Sequence, residues 1–440
     1  MIRHIIVATI GLLTAVASST LRAENWPQWR GPNLNGSTSE TGLPDNLDPK
    51  TAVWTMAMPG PGAGTPIVYG DHVFVNALDA KEKSLLAVAL DRKSGKILWQ
   101  KECGQGFRTS GRSDMTSPSA ITDGETVIFY FGTGDLACFD FQGNQKWARN
   151  IEQDHGQFNV QWLYGSSPLL YKGKLYVQVL HRNVSPGRRG EPGPGASLAD
   201  SYLLIIDPTT GKDIHKVIRP TAAKAESQES YATPVPYEGK GRRTEIILIG
   251  GDAVTGHDPE TGAELWRGTG WNPQFITHWR HVPSVVIAND LAIACAPKNG
   301  PVMAWKPGGS GNVTDTHLAW RTTETTSDVC VPLYYRDNLY VLNGDGDKSL
   351  SLLDAATGKI KWSQPIKSRA VFRASPLGAD DKIYCMNEAG ETWVLSATEP
   401  KILSQSDLKS EGSAARASIV ASQGNVFVRT GDKLYCFGKK

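Results

Sequence analysis

Three arginines lie at corresponding places in the second half of the chain. Arg280 and Arg373 each precede a proline by three residues, and Arg416 takes the same place in a segment without the proline. Guanidinium groups bind carboxylates and phosphates through paired hydrogen bonds. If the three side chains converge, we expect them to form a site for a polar or anionic ligand.

Acidic and aromatic residues lie beside these arginines in the sequence pattern. We expect Asp114, Glu229 and Asp328 to pair with the arginines; the alternative is that such pairs only hold loops in place. Aromatic faces at the same positions would pack against a bound molecule. The predicted binding residues are Asp114, Trp162, Tyr164, Glu229, Tyr231, His278, Trp279, Arg280, His281, Asp328, Arg373 and Arg416.

The densest group of reactive side chains is the run His278-Trp279-Arg280-His281. A metal site or an acid–base pair needs two or three groups within reach, and two histidines three residues apart on a loop do not supply them. We therefore predict no metal site and no catalytic residue from this run.

The elements that position these residues belong to a repeated unit. Each unit opens with a Ser, Thr or Val before proline, continues with alternating apolar residues, and ends in an Asp-x-x-x-Gly turn and a Trp. The openings lie at Pro66, Pro118, Pro168, Pro234, Pro283, Pro332, Pro376 and, without proline, Ser418. A spacing of roughly 45 to 65 residues is near the size of a four-stranded propeller blade.

The repeat predicts an all-β fold, an eight-bladed β-propeller of four-stranded antiparallel blades. Gly, Asn and Asp separate the short apolar runs, and these residues favour tight hairpin turns. The last unit ends without its Asp-Gly-Trp strand. Residues 52–55, which contain Trp54, are predicted to pair with the last blade and close the ring.

The tryptophans and aspartates of the repeat are predicted to be structural. The tryptophans recur at one phase of the unit, so we expect each to lie on an outer strand and pack against the next blade. The turn residues Asp91, Asp258 and Asp354 are expected to accept backbone hydrogen bonds within their turns. The predicted inter-blade tryptophans are Trp54, Trp99, Trp147, Trp266, Trp320 and Trp362.

Two segments interrupt the repeat. Residues 182–200 are rich in Gly, Pro and Arg and are predicted to form a long loop, either functional or disordered. Residues 305–320 carry Lys-Pro-Gly-Gly-Ser-Gly where the other units have the Asp-x-x-x-Gly turn.

The N-terminus and the composition suggest an exported protein. Residues 1–23 resemble a signal peptide, residues 24–51 form an extension, and residues 52–440 form a single propeller. With 46 basic and 44 acidic residues, the net charge of +2 gives no reason to expect a nucleic-acid partner. The predicted location is periplasmic or secreted, with membrane contact only through partners or an uncleaved signal.

The six cysteines form neither an adjacent pair nor a C-x-x-C motif. Most lie inside strand patterns, which predicts small buried side chains, and one or two disulfides are the alternative in an exported protein.

The motif Asp-x-x-Thr-Gly-Lys before a Trp resembles the repeat of the pyrroloquinoline-quinone-like β-propellers. It is seen over Asp354–Lys359 and, relaxed, over Asp207–Lys212, while the opening Trp26–Pro32 is similar to the mature start of exported members. That family includes quinoprotein alcohol dehydrogenases and the outer-membrane assembly lipoprotein BamB. The resemblance implies eight blades joined by tryptophan packing.

The resemblance leaves several functions open. The dehydrogenases have an adjacent-cysteine disulfide, a calcium ion held by Glu, Asn and Asp, and an Asp base, and BamB-like members have a lipidated Cys; none of these motifs is found in the sequence. We predict a non-enzymatic scaffold that binds a protein, peptide or glycan partner of the cell envelope at the channel mouth, without a cofactor. The alternatives are a PQQ-dependent oxidoreductase with calcium and a hydrolase or lyase that uses His281 and Arg280.

Overall fold

The computed structural model describes residues 23–79, 81–106, 111–183 and 200–438. Eight four-stranded sheets, one with an added fifth strand, follow one another along the chain. The first strands of several neighbouring blades contact one another, which places them around a central axis. The predicted all-β, eight-bladed propeller is confirmed. We number the blades 1 to 8 along the chain and the strands of each blade from the axis outwards.

The strands of the first four blades have the following bounds. Blade 1 contains β2 (Ile67–Tyr69), β3 (His72–Asp79), β4 (Ser84–Asp91) and β5 (Ile97–Gln105). Blade 2 contains β6 (Ile121–Thr122), β7 (Thr126–Tyr130), β8 (Asp135–Asp140) and β9 (Gln145–Asn150). Blade 3 contains β10 (Leu169–Tyr171), β11 (Lys174–Val179), β12 (Tyr202–Ile206) and β13 (Asp213–Ile218). Blade 4 contains β14 (Val235–Glu238), β15 (Thr244–Gly250), β16 (Ala253–His257), β17 (Glu264–Gly268) and the added β21 (Gly311–Asn312).

The last four blades follow the same order. Blade 5 contains β18 (Val286–Ala288), β19 (Leu291–Cys295), β20 (Val302–Trp305) and β22 (Leu318–Thr322). Blade 6 contains β23 (Leu333–Tyr335), β24 (Asn338–Asn343), β25 (Ser349–Asp354) and β26 (Ile360–Pro365). Blade 7 contains β27 (Leu377–Ala379), β28 (Lys382–Met386), β29 (Glu391–Ser396) and β30 (Ile402–Asp407). Blade 8 contains β31 (Val420–Ser422), β32 (Asn425–Arg429), β33 (Lys433–Gly438) and β1 (Trp54–Ala57). The described α-helices are α1 (Ile151–His155) and α2 (Thr314–His317).

The ring has two faces because the strands of each blade alternate in direction. The connections between blades and those between second and third strands emerge on one face, which we call the upper face. The turns between first and second strands and between third and fourth strands emerge on the lower face. The second and third strands are almost fully buried, as in β4, because neighbouring blades cover both sides of the sheet.

The ring is closed by the N-terminal strand, as the sequence predicted. Strand β1 pairs antiparallel with β33, with Trp54 opposite Cys436 and Ala57 opposite Lys433. Blade 8 is thereby completed by residues from the opposite end of the chain, and β33 has no unpaired edge.

The repeated Trp and the repeated turn Gly are two halves of one contact between blades. The indole Nε1 of Trp147 in blade 2 donates at 2.9 Å to the carbonyl of Pro208, which lies in the outer turn of the next blade, blade 3. A Cβ built on Gly211 of that turn would lie 2.6 Å from the Trp147 ring, so only glycine fits. The same bond to the residue after the turn Asp is made by Trp54, Trp99 and Trp320.

Trp266 and Trp362 lie on outer strands but do not make this contact. Trp266 donates to Glu245 of its own blade at 2.6 Å, because the next blade lacks the regular turn. The ring of Trp362 lies 6.2 Å from that of Tyr340 in its own blade. The predicted placement on outer strands is confirmed for all six tryptophans, and the contact with the next blade is made by four of them.

The Ser and Thr residues that open the units join the innermost strands. The backbone N–H of Ser418 in blade 8 donates to Oγ1 of Thr65 in blade 1 at 3.0 Å. The equivalent bond recurs at five further junctions: Ser119 to Ser167, Ser167 to Thr233, Thr233 to Ser284, Val331 to Ser375 and Ser375 to Ser418. Such bonds satisfy backbone donors that face the axis and would otherwise have no strand beside them.

The N-terminal extension crosses the lower face of the ring. Trp26 pairs with Val68 of blade 1 through N···O distances of 2.8 and 2.9 Å. Arg30, which is 4% exposed, donates to the carbonyl groups of Pro332 in blade 6 and Pro376 in blade 7. Glu40 accepts the backbone N–H of Gly424 in blade 8 at 2.7 Å. The extension therefore links blades from both ends of the chain.

Two predicted features fall largely outside the described residues: the signal peptide at 1–23 and the loop at 182–200. All six cysteines are free thiols; five are buried and Cys103 is half-buried. Burial raises the pKa of Cys295 to about 12, which fits an unreactive core residue. Within the described ranges, no helix has the length and apolar character needed to span a membrane.

Candidate functional site

A channel runs along the axis and opens on the upper face. It encloses a cavity of about 180 Å³. Seven of the eight positions that the repeat places three residues before the opening proline line it: Ala63, Gly165, Tyr231, Arg280, Val329, Arg373 and Arg416. At the eighth position, Met115 is buried, and Arg112 and Ser113 line the channel instead. Trp29 of the extension, which crosses the lower face, also lines the cavity.

Each of the three predicted arginines is held by a carboxylate. Arg280 donates Nη1 and Nη2 to the two oxygens of Asp328 at 3.0 and 3.1 Å. Arg373 donates Nη1 to Asp345 at 2.6 Å. Arg416 donates Nε to Glu388 at 2.7 Å. The cavity lining includes all three arginines and none of these carboxylates, so the positive groups face the channel.

Of the three carboxylates predicted to pair with these arginines, Asp328 is the one that does so, with Arg280. Burial raises the pKa of Asp328, but the hydrogen bonds from Arg280 outweigh burial and the pKa lies below its usual range. The other partners, Asp345 and Glu388, lie in connections between second and third strands, which the sequence reasoning did not consider.

Two predicted ion pairs are wrong. Asp114 accepts from the backbone N–H and hydroxyl of Thr116 at 2.8 and 2.6 Å and so stabilises its own turn. Glu229 is fully buried and pairs with Arg182, and its second oxygen accepts from the hydroxyl of Tyr231 at 2.6 Å. Both carboxylates support the loops behind the channel and do not touch Arg280, Arg373 or Arg416.

The predicted aromatic residues divide between channel and core. Trp162 and Tyr231 line the channel, and the backbone N–H of Trp162 donates to the Tyr231 hydroxyl at 3.0 Å. The guanidinium of Arg112 lies over the Trp162 ring at 4.7 Å. Tyr164 is buried, and its hydroxyl donates to the carbonyl of Gln178 at 2.6 Å, so it belongs to the core.

The run of residues 278–281 does not form a cluster in space. His278 is exposed, Trp279 is half-buried outside the channel lining, and only Arg280 lines the channel. His281 is fully buried against Trp271, with ring centroids 5.7 Å apart, and neither ring nitrogen has a hydrogen-bond partner. Burial lowers the pKa of His281 to about 3. A buried neutral imidazole without access to the channel excludes the hydrolase or lyase interpretation based on this residue.

Because His281 is buried in its neutral form, we expect the folded protein to lose stability in acid. The unfolded chain binds a proton at His281 below its ordinary pKa of 6.5, whereas the folded protein does so only near 3, so stability falls as the pH drops through this window. At pH 5 this one residue costs about 2 kcal/mol. His281→Phe should remove that part of the pH dependence in urea unfolding, and His278→Phe, at an exposed site, should not. Parallel curves for wild type and His281→Phe would contradict this assignment.

The calcium site that the family resemblance implies for a quinone cofactor would use Glu, Asn and Asp side chains. The described residues contain no group of three His, Cys, Asp or Glu side chains arranged to hold a metal ion. Asp328 and Asp345, which lie beside the channel arginines, are paired with Arg280 and Arg373.

The fold and its repeated Trp–Gly contact define an eight-bladed propeller of pyrroloquinoline-quinone-like repeats. A family model described as outer membrane protein assembly factor BamB matches residues 46–189 and 250–440, well over half of the sequence. The chain belongs to this family.

Solved structures and a curated relative extend the comparison. BamB from Moraxella catarrhalis is 13% identical with a TM-score of 0.61, over 88% of this chain and 99% of that one. Quinohemoprotein alcohol dehydrogenase from Comamonas testosteroni is 12% identical with a TM-score of 0.66, over 94% of this chain and 81% of that one. A 1-butanol dehydrogenase (quinone) of Thauera butanivorans is 34% identical over 107 residues, 21% of this chain. That match spans only 16% of the dehydrogenase's length.

Proposed function

We propose that this protein is a non-enzymatic scaffold of the cell envelope that binds a protein, peptide or glycan partner at the mouth of its channel. One observation carries the proposal: Arg280, Arg373 and Arg416 line the channel, and none of the described residues that line it is acidic. The family description, which names outer membrane assembly, supports an envelope partner.

The arginines retain donors for a ligand while their carboxylates fix their positions. Arg373 has one described partner, Asp345, at Nη1, and its other N–H groups have none among the described residues. Arg416 uses Nε and Nη2 for Glu388 and the carbonyl of Gly111. Donors that are pre-positioned in this way lose little side-chain entropy when a ligand binds.

Removal of two of these arginines tests the proposal. The chain from residue 24 would be tagged and used to capture partners from envelope extract, as wild type and as Arg373→Ala/Arg416→Ala. The loss of three to four charged hydrogen bonds should reduce capture at least tenfold. Arg336→Ala is the matched control, because Arg336 pairs with Asp381 in the turns of the lower face. A partner that remains bound to the folded double variant would place binding elsewhere.

A quinone-dependent dehydrogenase is the second candidate, favoured by the name of the Thauera butanivorans relative. Arginines at the channel mouth would suit the carboxylates of such a quinone. Titration with pyrroloquinoline quinone in the presence of calcium, followed by absorbance and calorimetry, separates the two candidates. Stoichiometric binding would overturn the scaffold proposal, and its absence would leave partner binding as the function.

A further inference from the structure

The turn between the third and fourth strands of blade 5, which we call its outer turn, departs from the repeat. It lies on the lower face, away from the channel mouth. In the regular turns the Asp backbone N–H donates to the residue that ends the turn, as from Asp207 to Lys212 and from Asp354 to Lys359, both at 2.9 Å. In blade 5 the same bond runs from Lys306 to His317, also at 2.9 Å. A lysine thus occupies the place of the repeated aspartate.

A buried carboxylate of blade 4 replaces the missing aspartate as the acceptor at this junction. Glu245, which is fully buried, accepts from Trp266 Nε1 at 2.6 Å and from the backbone N–H of Gly308 at 3.3 Å. Its other oxygen accepts from Nε of Arg243 at 2.6 Å. Arg243 also donates to the carbonyl of Gly309, so the lengthened turn is tied to blade 4. The junction is held together by specific contacts on both sides.

This junction forms a basic cavity on the lower face. The cavity has a volume of about 460 Å³ and is lined by four basic residues, Arg242, Arg243, Lys306 and His317, with Pro307, Gly308 and Thr316. Among the residues that the structure describes, none of those lining it is acidic. Glu245 balances the charge of Arg243, but neither Arg242 nor Lys306 has a carboxylate within ion-pair distance among the described residues. The cavity therefore has an excess of positive charge.

We propose that this cavity, the blade 4–5 basic pocket, binds a phosphate group. The Arg242 guanidinium is placed by a 3.2 Å bond to the carbonyl of Pro307, and Lys306 is exposed and lines the same cavity. A guanidinium and an ammonium that line the same cavity supply the charged donors that bind the oxygens of a phosphate. The pocket lies on the face opposite the channel mouth and is independent of partner binding there.

Calorimetry with inorganic phosphate on the chain from residue 24 tests the pocket. Wild type should bind saturably, and Arg242→Ala/Lys306→Ala should bind at least tenfold more weakly. Lys306→Asp, which restores the acidic residue of the regular turn, should show a similar loss. Lys212→Ala is the matched control, because Lys212 ends the regular turn of blade 3 and is exposed. Unchanged melting temperatures would show that the variants are folded.

Binding to lipid vesicles shows whether the bound phosphate group belongs to a lipid headgroup or to a soluble compound. If phosphatidylglycerol vesicles bind wild type more tightly than phosphatidylcholine vesicles do, and the double variant loses that preference, the ligand is a membrane headgroup. If inorganic phosphate binds and the vesicles do not, the ligand is a soluble phosphate compound. Binding to neither probe, or equal binding by wild type and Arg242→Ala/Lys306→Ala, would overturn the proposal.

Discussion

Removal of residues 24–58 is expected to abolish cooperative folding of the ring. The deletion takes away β1, which leaves β33 of blade 8 with an unpaired edge. It also removes the bond from Trp54 Nε1 to the carbonyl of Arg92, which joins blade 8 to blade 1. A propeller without this junction is an open arc with two exposed blade faces.

The size of the effect follows from burial. The deleted segment contributes five large buried apolar side chains, namely Trp26, Leu43, Leu47, Trp54 and Met58. At about 2 kcal/mol each, their burial is comparable with the whole net stability of a typical domain. We therefore expect the chain from residue 59 to give no sharp thermal transition.

A shorter deletion separates the closing strand from the extension. The chain from residue 49 keeps β1 but loses Trp26, Arg30 and Glu40, so it should fold with a lower melting temperature than the chain from residue 24. Differential scanning calorimetry of the three chains gives the comparison. A chain from residue 59 that melts like the chain from residue 24 would contradict closure by β1.

Replacement of a repeat glycine is expected to have the second large effect. Gly211 has a φ of +70°, and an added Cβ would collide with the Trp147 ring at 2.6 Å. Backbone strain and the collision together should make Gly211→Ala about 3 kcal/mol less stable than wild type. Urea unfolding followed by tryptophan fluorescence measures this loss directly.

The same blade contains a matched control. Gly173 has a φ of +72° in the turn between β10 and β11, and nothing lies within 4 Å of an added Cβ. Gly173→Ala should therefore cost only the backbone strain, about 1 kcal/mol. Equal losses for the two variants would mean that the Trp–Gly contact contributes nothing between blades.

The repeat predicted the blades and their closure because those features depend on local pattern. Alternating apolar residues and glycine turns define strands wherever they occur. The closing strand at Trp54 could be recognised because the last copy of the repeat lacked its outer strand, and an additional strand preceded the first copy. Arg280, Arg373 and Arg416 were recognised for the same reason: the pattern aligned them at one position of the unit.

Contacts made outside the repeated motif could not be predicted. Arg373 and Arg416 are positioned by Asp345 and Glu388, each 28 residues earlier in a connection between second and third strands. The motif does not include these connections, so it gave no signal for either carboxylate. Trp29 reaches the channel only because the extension crosses the lower face, which depends on bonds to distant blades. Glu229 lies two residues before Tyr231 in the sequence, but its buried carboxylate is held by Arg182 and the Tyr231 hydroxyl and does not pair with the channel arginines.

Photo-crosslinking in cells tests most directly whether the channel mouth binds the partner. A benzoylphenylalanine at Ala63, which lines the mouth, should give a crosslinked partner that disappears with Arg373→Ala/Arg416→Ala. The same group at Leu98 on the outer strand of blade 1, or at Lys212 on the lower face, should not. Crosslinks from Leu98 or Lys212 with none from Ala63 would contradict the account.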